Sequence, residues 1–464
     1  MRKEAIAART SRNGSRPDPD RPPAVLRFGD WFVLAWATTA ALGCSSAPAT
    51  DPAAVVRGET LFHDRVLEGL GGNGRACSDC HADAESFQLS PAVAEARFQQ
   101  MSTSGIDDPL FRPLDADDFA INGSSANDFQ NLRVNGLIRI RMPLPDNIRL
   151  VDSATCSTGG VGAPCETAET YALSPATFTD LWRAVPSILN ANLTGAAPAS
   201  LAWPRGPNPQ GGYLIDGRAS TLQEQARGAF HDHGAVATLP APDRLDDLAA
   251  YERTLEAPAE PPLDALEMRG KEIFTRACTT CHGGSGLNAP SNTPRRVLRF
   301  SDDETNCPSP TDVQSPPRWS FAPCPPSLIA DQQTYEITFS DGFKMRRTTT
   351  DPGRALLSGY VVSAPQAADG SCAHAPCGQE FEDDWGKLEA PGLHGISKTA
   401  PYFHNNSAAT LEDVLIHYEE LFKRIDALNT LAGLPAVLTT DDVHRDRPNV
   451  PADRVALVAY LMRL

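Results

Sequence analysis

Two pentapeptides, Cys77-Ser-Asp-Cys80-His81 and Cys278-Thr-Thr-Cys281-His282, decide how this chain of 464 residues is organised. Each places two thiols three positions apart and a histidine directly after the second thiol. Covalent attachment of a c-type haem needs this arrangement, because the thiols react with the two vinyl groups and the histidine ligates the iron. We therefore predict two covalently bound c-type haems, with His81 and His282 as the iron ligands on one side. The rival interpretation is a zinc-binding or redox Cys-x-x-Cys pair.

Similar segments surround the two pentapeptides. Arg57-Gly-Glu-Thr-Leu61-Phe62 precedes the first, and Arg269-Gly-Lys-Glu-Ile273-Phe274 precedes the second. Each half also ends in a segment with helical periodicity, predicted from Pro242 to Leu255 and from Pro451 to Leu464. The apolar positions that recur in these two helices are Leu245, Leu248, Tyr251 and Leu255 in the first, and Val455, Val458 and Leu461 in the second.

This duplication predicts the fold class. A proline-rich linker, Ala257-Pro-Ala-Glu-Pro-Pro-Leu263, lies between the halves and places a boundary near residue 260. We expect a mainly α protein with two cytochrome c-like haem domains, 44–260 and 261–464, that carry long loops. Short strands are expected within these loops, for example over Gly136 to Arg141.

Residues 1–43 have the features of an export segment. Basic residues precede a short apolar run from Trp31 to Leu42, and small residues then lead to Cys44. A run of this length is too short to span a bilayer and is typical of a secretory signal. We expect a periplasmic protein tethered to the membrane through a lipidated Cys44. Simple secretion with cleavage nearby is the alternative.

Composition and cysteine usage agree with an exported globular protein. Hydrophobic residues make up 41% of the chain, and the formal net charge is −17. The acidic balance excludes a nucleic-acid partner, which a basic surface would recognise, and favours a small basic protein steered by charge. Six further cysteines form three close pairs in loops rich in proline, glycine and serine, which predicts local disulfides. The predicted pairs are Cys156/Cys165, Cys307/Cys324 and Cys372/Cys377.

Three further stretches resemble bacterial dihaem cytochrome c peroxidases and MauG-type enzymes. The most specific is Pro391 to Tyr418, with Ala-Pro-Tyr-Phe-His404 within it. The other two are Trp182 to Ala191 and Asp216 to Ala226. Together with the pentapeptides, these motifs carry the resemblance in patches from about residue 55 to residue 464.

The resemblance implies a division of labour between the haems. The first, on His81, would be the peroxidatic site, and the second would receive electrons and relay them. Tyr418 takes the position of the second haem's sixth ligand, with Met345 as the alternative. Gln225 matches a distal glutamine of the family. His233 is the candidate for the missing distal glutamate; a surface histidine and an iron ligand are its other interpretations.

Several family residues are replaced in this chain. No histidine precedes the Trp182 stretch on the distal side, so the first haem is expected to be five-coordinate at rest. Ile215 stands where a tryptophan normally bridges the haems, so electrons would pass by Tyr213 or Trp203 instead.

The family's inter-haem calcium site is also altered. Ala184 stands where the family has an asparagine that helps to hold calcium, although Thr399 and Pro401 still offer carbonyl groups. Calcium therefore stays open. His404 is expected to orient structure between the haems rather than to bind iron.

The sequence is compatible with three functions. The leading one is a peroxidase that reduces hydrogen peroxide with electrons from a small cytochrome c or a cupredoxin. The second is a MauG-like oxidase acting on a protein or organic substrate, which Tyr418 favours. The third is a dihaem electron carrier without catalysis. The oligomeric state, a homodimer included, is left open.

Overall fold

The computed structural model of this chain describes most of residues 51–464. The described residues are 51–66, 70–118, 128–157, 165, 168–193, 212–257, 262–279, 282–283, 287, 297–299, 332–363, 371–377, 384–419 and 450–464. The predicted export segment, Cys44 and the Cys307/Cys324 pair lie outside them. Residues 50–464 form one compact unit. Within the part of the chain that is described, no helix has the length and apolar character needed to cross a membrane.

The helices and strands occur in groups along the chain. The helices are α1 (Pro52–Phe62), α2 (Pro91–Ser104), α3 (Gln130–Asn135), α4 (Leu222–Asp232), α5 (Pro242–Glu252), α6 (Ala265–Ala277), α7 (Ala355–Ser358), α8 (residues 411–419) and α9 (Val450–Leu461). The strands are β1 (Leu137–Pro143), β2 (Ile148–Ser157), β3 (Thr170–Leu173), β4 (Phe178–Ala184), β5 (Val297–Arg299), β6 (Gln333–Thr338), β7 (Lys344–Thr349) and β8 (Lys387–Glu389).

The strands form three antiparallel sheets. β1 pairs with β4, β5 pairs with β8, and a four-stranded sheet has the order β3-β2-β6-β7. This larger sheet joins strands from both sides of residue 260, with Leu150 opposite Tyr335. The strand expected over 136–141 corresponds to β1. The sheets are more extensive than a mainly α fold implies, and the two-domain division stays a prediction.

Two of the three predicted disulfides are present among the described residues. Cys156 is bonded to Cys165 and Cys372 to Cys377. Each bond closes a short loop, as the local spacing of the cysteines predicted.

Two helix pairs explain why each half has a glycine after the arginine of its Arg-Gly motif. α1 packs on α5, and α6 packs on α9. A Cβ at Gly58 would lie 2.0 Å from the carbonyl oxygen of Asp247, and one at Gly270 would lie 2.0 Å from that of Ala456. Only glycine allows the two backbones to approach this closely. The duplicated glycine is therefore a packing requirement.

An aromatic pair follows one turn along each of these contacts. The ring centroids of Phe62 and Tyr251 are 5.3 Å apart, with the rings inclined at 59°. The equivalent pair, Phe274 and Tyr460, is 5.4 Å apart and inclined at 60°. The two helix pairs are therefore repeats of one structural unit.

Of the three residues predicted for the apolar face of α9, Leu461 is buried and Val458 packs partly buried against the same core, but the prediction was wrong for Val455. Val455 is 58% exposed, whereas Ala456, Leu457 and Tyr460 are buried. The close contact with Gly270 requires the small Ala456 at the interface, and this sets the rotation of the helix. In α5, by contrast, the predicted residues Leu245, Leu248 and Tyr251 are all buried, and Leu255 is buried just beyond the end of the helix.

A second repeated unit leads into α4 and α8. Leu214 and Phe403 both have a φ of +72°, and the turn around each is closed by an isolated antiparallel bridge. The bridges are Tyr213–Ala219 and Tyr402–Ala408. The helices then begin alike, because the hydroxyl oxygens of Thr221 and Thr410 accept hydrogen bonds from backbone N–H groups three residues on, at 3.0 and 3.1 Å.

Candidate functional site

A tight turn forms the first haem-attachment motif. Residues Cys77–Asp79 make one turn of 3-10 helix, and the buried Asp79 carboxylate accepts a hydrogen bond from the Ala76 N–H at 2.9 Å. Cys77 and Cys80 are free thiols. Burial raises the pKa of Cys80 to about 11, so this thiol is held protonated.

The His81 imidazole is oriented by the backbone. Its Nδ1 donates to the carbonyl oxygen of Phe87 at 2.9 Å, which leaves Nε2 as the nitrogen available to a metal. Removal from water lowers the pKa of His81 to about 4, so the ring is neutral near pH 7. A neutral imidazole with one nitrogen engaged is the form that binds iron.

The second motif repeats this geometry. His282 donates from Nδ1 to the carbonyl oxygen of Leu287 at 3.0 Å, and burial lowers its pKa. Phe87 and Leu287, which supply the accepting carbonyls, both have positive φ, at 59° and 51°. Cys278 is a free thiol, and Cys281 lies outside the described residues. Where described, the thiols and imidazoles fit c-type haems.

An unpaired carboxyl oxygen lies beside the first motif. Glu252 is 5% exposed, and its Oε2 has no hydrogen-bond partner within the described residues. Burial raises the pKa of Glu252 to about 8. Burial, and after it the charge of Glu252, raises the pKa of Cys77. The helix repeat places the buried Leu461 at the equivalent position in the second half. A polar atom left unpaired here fits a site that holds a further group.

Helix α4 lies in the first half where the distal residues were expected. Leu222, Ala226 and Phe230 are buried on one face of it, and the half-buried Gln225 is on a neighbouring face. His233 is the C-terminal capping residue of the same helix. Gln225 and His233 are thus two turns apart, with Ala229 between them.

His233 is held by a buried ionic network. Its Nδ1 lies 3.0 Å from Oδ2 of Asp115, which is also 2.7 Å from Nη1 of Arg75. The same Nη1 donates to the backbone carbonyl of His233 at 2.7 Å. Arg75 and Asp115 are each 4% exposed. Arg75 lies two residues before Cys77, so these contacts hold His233 close to the first motif rather than on an open surface.

Helix α8 carries the predicted sixth ligand of the second haem. Tyr418 is half-buried, and its neighbour His417 is 4% exposed. The His417 ring lies 4.5 Å from that of Phe403 and 5.3 Å from that of Tyr418. Burial lowers the pKa of His417 to about 2. His417 was not singled out from the sequence.

The alternative ligand, Met345, lies in a different place. It is in β7, opposite Ile337 of β6, and packs against the core around Trp385. His282 instead follows α6, next to the core that contains Leu411 and Leu415 of α8. Of the two candidates, Tyr418 is therefore the one on an element that packs beside the second motif.

The repeated turn before α4 and α8 shows how the two sites differ. Counting from Thr221 and Thr410, Ala229 takes the position of Tyr418, and Gln225 takes that of Val414. A methyl group cannot ligate iron. If Tyr418 closes the second iron, the same position leaves the first iron open.

A buried group of charges connects the two halves. Arg183 is 2% exposed and forms ion pairs with Asp216 at 2.6 Å and with Asp351 at 2.7 Å. Burial opposes ionisation of Asp216, but the guanidinium groups of Arg218 and Arg183 outweigh it and lower the pKa of Asp216. The next residue after Arg183, Ala184, donates its N–H to the carbonyl of His404 at 2.6 Å.

The other residues predicted to lie between the haems make contacts mainly with the backbone. The carbonyl of Ile215 accepts a hydrogen bond from the Glu389 N–H at 2.7 Å. The hydroxyl of Tyr213 donates to the carbonyl of Ala191 at 3.4 Å, and Trp203 lies outside the described residues. Removal from water lowers the pKa of His404 to about 4. Calcium and the electron route stay predictions.

Comparison with known proteins bears on the C-terminal signature. Residues 388–420 match the model of a family described as RoxA-like, cytochrome c-like. This segment contains His404 and Tyr418. No curated protein matches the chain.

Three solved structures are similar over much of the chain. A MauG-like protein associated with microbial copper homeostasis is 17% identical, with a TM-score of 0.40, over 90% of this chain and 91% of its own. The diheme peroxidase BthA from Burkholderia thailandensis is 17% identical, with a TM-score of 0.33, over 89% and 85%. Hydrazine synthase from Kuenenia stuttgartiensis is 17% identical, with a TM-score of 0.31, over 61% and 73%.

The chain resembles the dihaem cytochrome c peroxidase and MauG-like family. The resemblance predicted from the motifs is confirmed at this level. These structural similarities have TM-scores below 0.5 and do not indicate an activity. The function is therefore proposed from the residues of this chain.

Four residues near the sites escaped prediction: Asp115, Ala229, Glu252 and His417. The shared Thr-Leu that begins α4 and α8 could have aligned Ala229 with Tyr418. Asp115 gave no local signal, because it reaches His233 from a loop far away in the sequence. Glu252 reads as an ordinary exposed residue at the end of an amphipathic helix.

Proposed function

We propose that this chain is a dihaem c-type peroxidase that reduces hydrogen peroxide to water. Electrons would come from a small cytochrome c or a cupredoxin and enter at the second haem. The observation that carries the proposal is the difference between the repeated helices. α4 carries Gln225 and Ala229 at the positions where α8 carries Val414 and Tyr418, and His233 caps the end of α4.

The proposal assigns the haems to these residues. Cys77, Cys80 and His81 would hold the first haem, and Cys278, Cys281 and His282 the second. Each haem, when bound, supplies an iron that accepts and gives electrons. Tyr418 would occupy the second iron through its phenolic oxygen and keep peroxide away from it, while Ala229 leaves space at the first.

Peroxide reduction takes up two electrons and two protons for every two water molecules formed. The oxygen–oxygen bond breaks more readily when a base takes a proton from one oxygen and returns it to the departing one. His233 suits this role, because its Nδ1 is bound to Asp115 and Nε2 remains for the substrate. The Gln225 amide would donate a hydrogen bond to the peroxide.

Electron paramagnetic resonance of the purified ferric holoprotein tests the proposal. We expect one high-spin signal from an open first iron and one low-spin signal from the second. Peroxide should remove the high-spin signal, and a reduced small cytochrome c or cupredoxin should then sustain turnover. Two low-spin signals that peroxide leaves unchanged would instead support an electron carrier.

A MauG-like oxidase is the second candidate, favoured by Tyr418. It predicts the same response to peroxide, but no turnover with small redox proteins. A protein or organic substrate would be oxidised in their place. Turnover with each class of donor therefore separates the two enzymes.

Location is proposed from the sequence alone. We propose a periplasmic protein tethered through a lipidated Cys44. Cys44→Ala should release the protein from the membrane fraction, and mass spectrometry of the mature N-terminus should show loss of the lipid.

A further inference from the structure

The first haem site contains a carboxylate that no motif accounts for. Asp115 lies in the loop before α3 and is 4% exposed. Its Oδ2 contacts Nδ1 of His233 at 3.0 Å and Nη1 of Arg75 at 2.7 Å. A buried carboxylate with two such partners has a defined position and direction.

The backbone around Asp115 is anchored to the sheet. Its carbonyl oxygen accepts a hydrogen bond from the N–H of Arg139, in β1, at 2.8 Å. Arg75 is anchored as well, since Nε donates to Pro109 at 3.1 Å and Nη2 donates to Arg112 at 2.7 Å, both at carbonyl oxygens. The carboxylate is therefore supported by a rigid element and by a fully engaged guanidinium.

The main chain of His233 is held in the same way. Its carbonyl oxygen accepts hydrogen bonds from Nη1 of Arg75 at 2.7 Å and from Nδ2 of Asn73 at 2.8 Å. The N–H of Asn73 donates to Gly234 at 2.9 Å. The segment just before Cys77 is thus hydrogen-bonded to the end of α4. Both the backbone and the ring of His233 therefore have fixed positions.

We propose that Asp115, held by Arg75, is a positioning residue for His233. An ionised Asp115 accepts the proton-bearing Nδ1, so His233 takes the tautomer whose Nε2 carries a lone pair. That nitrogen is then a base towards a ligand at the first haem. The inference rests on the proposed function, because it presumes that His233 faces the reacting peroxide.

The equivalent arginine of the second half has a different setting. The residue two positions before the first thiol there is Arg276. Arg276 lies on α6 with Lys271 and Thr275 around a surface depression. Within the described residues, the carboxylate–histidine–arginine network is observed beside the first motif.

Asp115→Asn tests the proposal with the least change in shape. Cyanide binding to the ferric holoprotein is the first readout, because hydrogen cyanide must lose its proton to a nearby base and no turnover is involved. We expect the cyanide association rate to fall about tenfold or more, as general-base contributions of this kind are large. The rate of the peroxide reaction should fall in parallel.

Asp117→Asn is the matched control. Asp117 lies in the same loop, and its carboxylate is 3.6 Å from Arg139. The same chemical change there should leave the cyanide rate unaltered. Equal losses in the two variants would show that disturbance of the loop, rather than positioning, is responsible.

His233→Gln, alone and combined with Asp115→Asn, completes a double-mutant cycle. If Asp115 acts through His233, the double variant binds cyanide no more slowly than His233→Gln does. Additive losses would overturn the proposal. A first haem that is low-spin in the native protein and turns high-spin in His233→Gln would also overturn it, because His233 would then be the iron ligand.

The experiments distinguish failure of the proposed function from failure of the positioning role of Asp115. Normal cyanide and peroxide rates in His233→Gln would remove His233 from the proposed mechanism, and the positioning role with it. Slow rates in His233→Gln but native rates in Asp115→Asn would overturn only the role of Asp115. Where Asp115→Asn binds less haem, the cyanide rate is expressed per haem bound.

Discussion

The two haem-attachment sites share one side and differ on the other. On the shared side, His81 and His282 each donate Nδ1 to a carbonyl of a residue with positive φ, at 2.9 and 3.0 Å. In the repeated helices, Ala229 of α4 takes the position of Tyr418 of α8. Duplication thus repeats the frame around each motif, and under the proposed function a few substitutions within it would assign different tasks.

The two motifs also differ in the charged groups that surround them. The first site contains the Arg75–Asp115–His233 network and the buried Glu252, and the second has Leu461 where the first has Glu252. Buried polar groups cost stability unless they are paired. Within the described surroundings of the two motifs, this network and the unpaired oxygen of Glu252 lie beside the first motif.

Loss of a haem is the largest change that tests this comparison. Cys77→Ala should leave one covalent haem and abolish peroxidase activity, because the open iron is then lost. Cys278→Ala should also leave one haem but keep a stoichiometric reaction with peroxide. Mass spectrometry and stopped-flow absorption measure the two effects. Turnover retained in Cys77→Ala would assign the chemistry to the second half.

Exchange of the residue at the equivalent helix position is the next test. Ala229→Tyr should give the first iron a sixth ligand and lower the peroxide reaction rate by about two orders of magnitude, because the open position is lost. Tyr418→Ala should open the second iron and add a second high-spin signal. Electron paramagnetic resonance follows both changes. Unchanged spin states would break the equivalence of α4 and α8.

The glycines at the two helix contacts test the shared frame. Gly58→Ala and Gly270→Ala should each lower the free energy of unfolding by about 3 kcal/mol, because the new Cβ meets a backbone carbonyl at 2.0 Å. Gly228→Ala, in α4, is the control, since no described atom lies within 4 Å of its Cβ position. It should stabilise by about 0.5–1 kcal/mol. Denaturant unfolding of the holoprotein measures all three.

Replacement of Glu252 should have a smaller effect on folding stability, and this effect should depend on pH. Its pKa is about 8 when folded against an ordinary value of 4.5, so the unfolded chain loses this proton first as the pH rises. Folded stability therefore falls between about pH 4.5 and pH 8. Glu252→Leu, the residue type of the second half, should remove this slope and stabilise by about 1–3 kcal/mol at pH 8.

The exposed Glu59 of α1 supplies the control for this prediction. Glu59→Leu should shift stability equally at pH 5 and pH 8, because no buried carboxyl is removed. Thermal unfolding of the holoprotein at the two pH values gives the comparison. A gain for Glu252→Leu that is independent of pH would show that hydrophobic burial alone explains it.

Local pattern predicted the parts of the fold that local forces control. The apolar face of α5 was predicted correctly, because its polar and apolar residues alternate cleanly with helical period. In α9 nearly every residue is apolar, so periodicity could not select a face, and Val455 proved to be exposed. The contact with Gly270, which is remote in sequence, selected Ala456 instead.

The four-stranded sheet and the buried charges were not predicted from the sequence. Strands β2 and β6 pair across the boundary expected at residue 260, and their pairing depends on residues far apart in the chain. Arg183 likewise meets Asp216 and Asp351 only after folding. Charged residues in a sequence read as surface residues, because burial is rare unless a distant partner compensates for it.

By itself, the sequence predicted the thiols and histidines of the two motifs, the duplication and two of the local disulfides, since each follows from short stretches of the chain. The alignment of Ala229 with Tyr418 also follows from a count within the sequence, once the turns before α4 and α8 are known to repeat. Only the tertiary structure showed that Asp115 reaches His233, through long-range packing that no local spacing encodes. Attachment needs only neighbouring atoms, whereas a reactive site needs groups that folding brings together.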